Sequence, residues 1–541
     1  MTRQLPPSVA MASTLVETLL AHGIEQVVLA PGSRSAALAQ ALHGAAEAGR
    51  LQLHVRIDER SAGFLALGIA KASLRPVPVV TTSGTAVGNL LPAVMEAHHT
   101  GVPLLVLSAD RPITLHDTGA NQTTQQQGMF ANFVRAAAQI SSGEGNPGHW
   151  QFQAERLLLA ADGSRSNNPG PVHLNAAFTP PLVGAGGPQT RIEPTDFGAE
   201  APAPASVEVS GEGTVIVAGD ATPEQGRMAV ELASSGGFPL LAEPSSNARR
   251  APALRNHRLL LERTDLAARV RRVIVFGHPT LSRPTSALLT GDVEVIAVAP
   301  TAHWNGGRVD RVVPAVHAAR TSDPAWSRQW ADADADLDTE LDRAGRDGAL
   351  DGPGLAAVVW SSLQDEGALV LGSSNVIRDA ELAPIADSAP MVFANRGLAG
   401  IDGTVSTAAG ISLALAAPVT LLLGDLTFQH DVGGLAVGPL ERRPDLRIVV
   451  ANDDGGSIFA TLEYGAPEHA ESFERIFGTP QGIDISLLAK GFGVSHRLVS
   501  DADELSEVLS ATPRGIEVVE VPIDRARRRE RDRNLRGLGP E

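Results

Sequence analysis

The stretch "VTLLLGD", Val419–Asp425, runs an almost continuous apolar segment directly into a glycine and a carboxylate. Such segments are typical of strands that are buried on both faces of a parallel sheet. Similar β-rich runs separated by helical patterns recur along the chain, at 77–82, 102–108, 214–219, 272–277, 293–299 and 447–452. Alternation of such strands with helices predicts an α/β fold built of doubly wound parallel sheets.

Two irregular segments divide this pattern. Residues 180–213 are rich in Pro, Gly and Ala without a sustained period, which predicts a linker. An acidic helix followed by a Gly/Pro turn occupies 330–354. These breaks predict three α/β domains, at 1–185, 195–345 and 350–541.

Composition excludes several classes of function. The formal net charge of −17 argues against a general nucleic-acid binder, and the absence of cysteine excludes disulfides and thiolate chemistry. The N-terminal sequence lacks the pattern of a signal peptide. The charge-free span 403–424 is interrupted by Pro418, so it predicts a helix that is followed by a buried strand. It therefore predicts no integral membrane segment. We therefore expect a cytoplasmic protein.

Chemistry-bearing residues follow several predicted strands, where ligands of open α/β sheets bind. Arg34 lies in the loop of "VLAPGSRSAAL" (28–38), a setting suited to anions. Glu59 opens the amphipathic helix of "HVRIDERSAGFLALGIAKA" (54–72). Asp58 and Glu59 could also be ordinary first-turn acids favoured by the helix dipole.

The carboxylate that ends the opening stretch has a counterpart. Asp453, in "RIVVANDDGGSIF" (447–459), follows Asp425 by 28 residues and ends the next predicted strand. Successive strands of a parallel sheet would bring the two carboxylates together. A divalent cation that prefers oxygen would relieve their repulsion, with phosphate oxygens completing its coordination. A plain Gly-Asp turn is the alternative reading of the first segment.

Two other features predict no site. His98, His99 and His430 each lie beside an apolar run, and no third ligand follows at the spacing of a metal site. The run "RARRRERDRNLRGL", at 525–538, mixes charges of both signs. It predicts a solvated tail or helix and not a binding patch.

The motif "GDL" at 424–426 followed by "NDDGG" at 452–456 resembles the thiamine-diphosphate motif, in which Gly-Asp precedes an Asn-rich turn. Leu426 replaces the usual third glycine and Asp453 the usual second asparagine. Departures of this kind are associated with the 2-succinyl-5-enolpyruvyl-6-hydroxy-3-cyclohexene-1-carboxylate synthase family of menaquinone biosynthesis, which the chain resembles. Segments across the whole chain carry the similarity, among them "APGSRS" (30–35), "DERSAGFLALGIAK" (58–71), "GANQ" (119–122), "NRGLAGIDGTVSTAAG" (395–410) and "GGSIFATL" (455–462).

The resemblance implies a thiamine-diphosphate site with Mg²⁺ or Mn²⁺. Glu59 would be the catalytic residue that hydrogen-bonds the aminopyrimidine of the cofactor. The metal ligands would be Asp425, Asp453 and the carbonyl of Gly455. The remaining cofactor contacts would come from Ile401, Leu426, Thr427, Ile458 and Phe459. For the apolar members of this set, ordinary core packing is the competing explanation.

The resemblance also implies the substrates, 2-oxoglutarate and isochorismate. Decarboxylation of the first would give a succinic-semialdehyde carbanion that adds to the second. Arginine pairs with carboxylates through two parallel hydrogen bonds, which lysine cannot reproduce. The implied substrate residues are Ser33, Arg34, Arg111, Asn121, Gln122, Arg283, Ser374, Arg378, Arg396 and Leu462.

The three domains would be pyrimidine-binding, middle and diphosphate-binding, in a homodimer or dimer of dimers with the active site between chains. Another thiamine-diphosphate carboligase, such as an acetolactate-synthase-like enzyme acting on pyruvate, is the nearest alternative. Such an enzyme has less need of clustered arginines. A nucleotide-binding regulatory protein in which the cofactor pocket is vestigial is a second alternative, against which the intact Glu59, Asp425 and Asp453 argue.

Overall fold

The computed structural model describes residues 5–184, 192–195, 206–211, 213–302, 308–319, 324–344, 350–363 and 367–537. The chain folds into two compact units. Unit 1 comprises Met1–Ala201, Asp402–Ala417 and Asp431–Asp445, and unit 2 comprises Pro202–Ile401, Pro418–His430 and Leu446–Glu541. Parallel sheets flanked by helices form the architecture of both units, which confirms the predicted α/β class.

Unit 1 contains a six-stranded parallel sheet in the order β2-β1-β3-β4-β6-β5. Its strands are β1 Gln26–Leu29, β2 Gln52–Val55, β3 Val77–Thr81, β4 Leu104–Asp110, β5 Ala136–Ser141 and β6 Val172–Ala177. Its helices are α1 Pro7–Ala21, α2 Ala36–Glu47, α3 Glu59–Ser73, α4 Thr85–Gly88, α5 Leu91–Thr100, α6 Pro147–Asp162 and, from a later part of the chain, α13 Thr404–Leu415.

Helices α3 and α13 approach each other very closely. A Cβ added at Gly68 would lie 2.1 Å from the carbonyl oxygen of Thr407, and one at Gly410 would lie 2.2 Å from that of Leu65. Only glycine permits this separation. The contact fixes the helix whose first residue is Glu59.

The first part of unit 2 has a five-stranded parallel sheet in the order β12-β11-β10-β8-β9 and a two-stranded sheet of β7 and β13. The strands are β7 Ser206–Val209, β8 Thr214–Ala218, β9 Leu240–Ala242, β10 Arg272–Phe276, β11 Glu294–Val298, β12 Arg311–Val313 and β13 Ala315–Ala318. The helices are α7 Pro223–Gly236, α8 His257–Arg263, α9 Arg283–Thr290 and α10 Pro324–Ala344.

The predicted linker contains one regular element, so that prediction was wrong over four residues. Strand β7 pairs in parallel with β13, and Val209 is buried with 3% exposure. A partner more than a hundred residues away supports this short strand, which local composition does not reveal. The linker residues 185–191, 196–205 and 212 lie outside the described part of the chain.

The rest of unit 2 holds a second six-stranded parallel sheet, in the order β15-β14-β16-β17-β19-β18. Its strands are β14 Ala368–Leu371, β15 Met391–Ala394, β16 Val419–Gly424, β17 Leu446–Asn452, β18 Ser495–Leu498 and β19 Ile516–Pro522. Its helices are α11 Gly352–Ser362, α12 Asn375–Ala380, α14 Asp425–His430, α15 Ala470–Phe473, α16 Ile485–Gly491, α17 Ala502–Ser510 and α18 Arg528–Leu535.

Both six-stranded sheets have the same topology. Counted from the first strand of each sheet, the order is 2-1-3-4-6-5 in both. The first and third strands are therefore neighbours, and the connections that leave them run in opposite directions. These strands are β1 and β3 in one sheet and β14 and β16 in the other. A crevice for ligands forms beyond the carboxyl ends of such a strand pair.

The strands predicted from continuous apolar runs are present. Within β16, Leu421, Leu422 and Leu423 are at most 1% exposed, as expected of a strand covered on both faces. The charge-free span 403–424 forms α13 and this strand. In the described part of the chain, no helix combines the length and the apolar character needed to cross a membrane.

Candidate active site

Six of the candidate residues belong to unit 1, and Glu59 is the first residue of α3. The carboxylate of Asp58 caps this helix, accepting hydrogen bonds from the backbone N–H of Arg60 at 2.8 Å and of Ser61 at 3.3 Å. Glu59 is half-buried, and its Oε2 accepts a hydrogen bond from Asn89 Nδ2 at 3.5 Å. Asp58 is thus the N-cap of α3, and Glu59 is the acid of its first turn.

Arg34 lies at the crevice between β1 and β3. Its backbone N–H donates to Thr82 Oγ1 at 3.3 Å and its Nη1 to the carbonyl of Phe178 at 3.0 Å. The side chain is buried, and its Nε has no hydrogen-bond partner among the described residues. Burial and the neighbouring charge of Arg111 lower the pKa of Arg34. A guanidinium in this state suits a carboxylate ligand, which would satisfy the buried N–H.

The loop after β4 brings Arg111, Asn121 and Gln122 to the same edge of the sheet. Arg111 donates from Nε and Nη2 to the carbonyl of Asn121, at 3.0 and 2.5 Å. Gln122, at a φ of +55°, exchanges two hydrogen bonds with Ser83 at the end of β3, at 3.0 and 2.9 Å. Asn121, Gln122 and Ser33 are exposed, so their polar groups can contact a small molecule.

The remaining candidates belong to unit 2, where the structure brings Asp425 and Asp453 together. Strands β16 and β17 pair in parallel up to Gly424 and Ala451, and one carboxylate follows each strand. Burial and the charge of Asp453 raise the pKa of Asp425 to about 7. Burial also raises the pKa of Asp453 to about 6. A cation at this position would favour the ionised form of both groups.

Gly455 completes this arrangement. Its N–H donates to Asp425 Oδ2 at 2.9 Å, its φ is +146°, and an added Cβ would lie 2.2 Å from the carbonyl oxygen of Gly478. Across the described residues, no three His, Asp or Glu side chains are grouped to hold a metal. A cation bound by Asp425 and Asp453 would need backbone or ligand oxygens as well, which fits Mg²⁺ or Mn²⁺ beside a diphosphate.

The raised pKa of Asp425 has a consequence for stability. Because its folded-state pKa of about 7 exceeds the ordinary value of 3.8, the protonated group stabilises the fold at low pH. That contribution is lost as the pH rises through 7. Asp425→Asn should raise the melting temperature of the cofactor-free protein by at least about 2 °C at about pH 8, and by less at about pH 5.5.

Differential scanning fluorimetry in a chelator checks this expectation. Asp454→Asn is the matched control, because Asp454 is the acid next to Asp453 in the sequence and its side chain is exposed. Equal melting temperatures for Asp425→Asn and wild type at the higher pH would contradict the burial of an unfavourable charge.

Arg378 and Arg396 follow the neighbouring parallel strands β14 and β15. Arg396 is 4% exposed and donates from Nε and Nη2 to Thr280 Oγ1, at 3.3 and 2.8 Å, and from Nη1 to Ser373 Oγ at 3.4 Å. Arg378 Nη1 donates to the carbonyl of Ser374 at 2.7 Å. Burial and the positive charge of Arg396 lower the pKa of Arg378. Two guanidiniums close enough to influence each other would suit a ligand that carries carboxylates.

A cleft of about 150 Å³ in unit 2 is lined by four candidates, Arg283, Arg378, Ile458 and Leu462. Sequence reasoning missed several further charged and polar lining residues, namely Arg258, Asn375, Asp379, Arg528, Arg531, Asp532 and Arg536. Of these residues, Asn375 was the easiest to predict, because it follows Ser374 directly in the sequence. The others come from α8, α12 and the C-terminal segment.

The C-terminal run forms helix α18, in which no residue is buried, as the expectation of a solvated helix requires, but it also lines one wall of this cleft. Arg528 binds the carboxylate of Asp379 at 2.9 and 2.6 Å, and its side chain is 16% exposed. Arg529 donates to the carbonyls of Ala460 and Leu462, both at 2.9 Å. These partners lie far away in the sequence, so the charge pattern alone does not reveal the contacts with the cleft.

The other unit 2 candidates are placed as follows. Leu426 is half-buried and Thr427 buried in α14, and Ile401 is half-buried in the loop before α13. The Phe459 ring lies 5.6 Å from that of Phe477. Arg283 is exposed and pairs with exposed Glu463 at 3.2 Å, an interaction that contributes little in water.

Comparison with known proteins agrees with this architecture. Residues 10–130 match the family described as "Thiamine pyrophosphate enzyme, N-terminal TPP binding domain". Together with relatives that match nearly the whole chain, this match defines a thiamine pyrophosphate-dependent enzyme.

Relatives named 2-succinyl-5-enolpyruvyl-6-hydroxy-3-cyclohexene-1-carboxylate synthase match over nearly the full length. The one from Kineococcus radiotolerans is 46% identical over 97% of each chain. Those from Paenarthrobacter aurescens and Arthrobacter sp. are 46% and 47% identical, over 96% of this chain and 94% and 90% of theirs. The chain belongs to the 2-succinyl-5-enolpyruvyl-6-hydroxy-3-cyclohexene-1-carboxylate synthase family.

Proposed function

We propose that this enzyme decarboxylates 2-oxoglutarate and joins the succinic-semialdehyde unit to isochorismate, as a step of menaquinone biosynthesis. Family membership supports the reaction. The observation that carries the choice of substrates is the pair formed by Arg378, half-buried in α12, and Arg396, buried after β15, whose guanidiniums influence each other. Both substrates carry two carboxylates, whereas pyruvate carries one. The acetolactate-synthase-like alternative is therefore not favoured.

Thiamine diphosphate with Mg²⁺ or Mn²⁺ supplies the electron sink for decarboxylation when it is bound. Asp425, Asp453 and the Gly455 carbonyl would hold the metal. The raised pKa values of the two carboxyl groups support this assignment, because a bound cation would offset the burial that raises them. The other residues proposed to contact the cofactor are Ile401, Leu426, Thr427, Ile458 and Phe459.

Glu59 would hold a proton shared with N1′ of the aminopyrimidine and so act as the general acid–base group. Its position in the first turn of α3, next to the residue that caps the helix, supports this role. The close contact of α3 with α13 keeps the carboxylate in a fixed place.

The substrates would be bound by arginines and their polar companions. In unit 1 these are Ser33, Arg34, Arg111, Asn121 and Gln122, and in unit 2 they are Arg283, Ser374, Arg378, Arg396 and Leu462. The buried N–H of Arg34 and the mutual influence of Arg378 and Arg396 support carboxylate binding. The two parallel N–H donors of each guanidinium would orient a carboxylate as well as neutralise its charge.

The proposal includes a homodimer or dimer of dimers with the active site between chains, and a cytoplasmic location. It also includes three domains at 1–185, 195–345 and 350–541, supported by the presence of one main parallel sheet in each range. These three points are predictions from the sequence.

An assay of CO₂ release tests the reaction. With thiamine diphosphate and Mg²⁺, the enzyme should release CO₂ from 2-oxoglutarate, and isochorismate should accelerate release by trapping the product of decarboxylation. Pyruvate is the control substrate and should be turned over poorly. Faster release from pyruvate than from 2-oxoglutarate would contradict the proposal.

Glu59→Gln should lower turnover by about 100-fold or more, because the amide cannot exchange a proton with N1′. Affinity for thiamine diphosphate, measured by calorimetry, should change little. Asp58→Asn is the matched control, since asparagine also caps helices and should leave turnover close to wild type. Turnover of Glu59→Gln near that of wild type would remove the proposed role.

A further inference from the structure

Arg396 is held by a residue that belongs to a different sheet. Thr280 lies in the loop that follows β10 of the five-stranded sheet, whereas Arg396 follows β15 of the six-stranded sheet. The Thr280 hydroxyl oxygen accepts hydrogen bonds from both Nε and Nη2 of Arg396, at 3.3 and 2.8 Å. Two donors on one acceptor fix the plane of the guanidinium.

The chemistry of this acceptor is informative. A hydroxyl orients a guanidinium without neutralising it, whereas a carboxylate in the same place would form an ion pair and satisfy the charge. The third contact of Arg396 is also neutral, the Ser373 hydroxyl at 3.4 Å. Arg396 is thus held in a buried place by two hydroxyls and makes no ion pair among the described residues, although Glu243 lies near enough to influence it electrostatically.

The loop that carries Thr280 is itself anchored. Glu243, which follows β9 and is 2% exposed, accepts hydrogen bonds at Oε1 from the backbone N–H of Thr280 at 3.1 Å and of Leu281 at 2.9 Å. A buried side chain that binds two successive amides leaves the loop little freedom. The position of the Thr280 hydroxyl therefore follows from the fold of the five-stranded sheet.

We propose that Thr280 is a positioning residue that fixes the Arg396 guanidinium for a carboxylate of 2-oxoglutarate, with Glu243 holding the loop. The inference rests on the proposed function and adds a supporting residue from the segment between β10 and α9, the helix whose first residue is Arg283. Thr280 touches no reacting atom and acts through Arg396.

Two substitutions separate orientation from packing. Thr280→Val keeps the shape of the side chain but removes the acceptor, and Thr280→Ser keeps the acceptor but removes a methyl group. Because hydrogen bonds to charged groups are stronger than neutral ones, Thr280→Val should raise the KM for 2-oxoglutarate by about tenfold or more. The kcat should fall less than the KM rises, and affinity for thiamine diphosphate should not change. Thr280→Ser should stay close to wild type.

A double-mutant cycle tests whether the effect passes through Arg396. In an Arg396→Lys background, Thr280→Val should have a much smaller effect, because lysine cannot donate from a fork to the hydroxyl. The inference is overturned if Thr280→Val has a wild-type KM, if Thr280→Ser is as impaired as Thr280→Val, or if the Thr280→Val effect is undiminished in the Arg396→Lys background. No turnover of 2-oxoglutarate by the wild-type enzyme would overturn the proposed function as well, which separates the two failures.

Discussion

Asp425→Ala is expected to abolish the Mg²⁺-dependent binding of thiamine diphosphate while the protein stays folded. The variant removes one of two carboxylates that would hold the metal, and with it the acceptor for the Gly455 N–H. Removing one of two like-charged, half-buried carboxylates relieves repulsion in the cofactor-free protein, so the protein should stay folded. Calorimetric titration of the cofactor, with and without Mg²⁺, measures the loss.

The control for this experiment is again Asp454→Asn, which changes an acid next to Asp453. Asp454 accepts hydrogen bonds from the backbone N–H of Gln481 and Gly482, and asparagine keeps an acceptor for them. This variant should bind the cofactor as wild type does. Unchanged cofactor affinity in Asp425→Ala with Mg²⁺ present would refute the assignment of Asp425 as a metal ligand.

Arg396→Ala is expected to raise the KM for 2-oxoglutarate sharply. Loss of one charged, desolvated pairing costs about 2–5 kcal/mol, equivalent to roughly 30-fold to several thousand-fold in catalytic efficiency. Arg396→Lys should rescue poorly, because lysine restores the charge without the fork. Steady-state kinetics with 2-oxoglutarate as the varied substrate measure the effect, and cofactor affinity should barely change.

Arg283→Ala offers a comparison within the same cleft. Arg283 is exposed and paired with an exposed glutamate, so its removal should have a smaller effect than removal of the buried Arg396. If Arg396→Ala weakened cofactor binding and left the kinetics with 2-oxoglutarate intact, Arg396 would not belong to the substrate site.

The sequence was informative wherever one local pattern determined the structure. Continuous apolar runs predicted the buried strands, because a strand covered on both faces of a sheet leaves that signature in a few residues. The proximity of Asp425 and Asp453 followed from the same pattern, since successive strands of a parallel sheet end at one edge. The prediction for Arg378 and Arg396 rested on the same geometry.

Contacts between distant residues were not predictable. Arg528 and Asp379 are 149 residues apart, and Thr280 and Arg396 are 116 apart. Each pair joins segments with ordinary local sequences, so neither the cleft wall formed by α18 nor the support of Arg396 left a sequence signal. Strand β7 escaped prediction for the same reason, because its partner β13 is remote in the chain.

The two six-stranded sheets have the same strand order, yet the charges of the side chains that follow their strands are opposite. After the first strand of one sheet lies Arg34, a cationic group suited to anions. After the third strand of the other lies Asp425, an acid suited to a cation. The same strand order thus occurs twice in one polypeptide, and a few side chains that follow the strands make one copy suited to anions and the other to a cation.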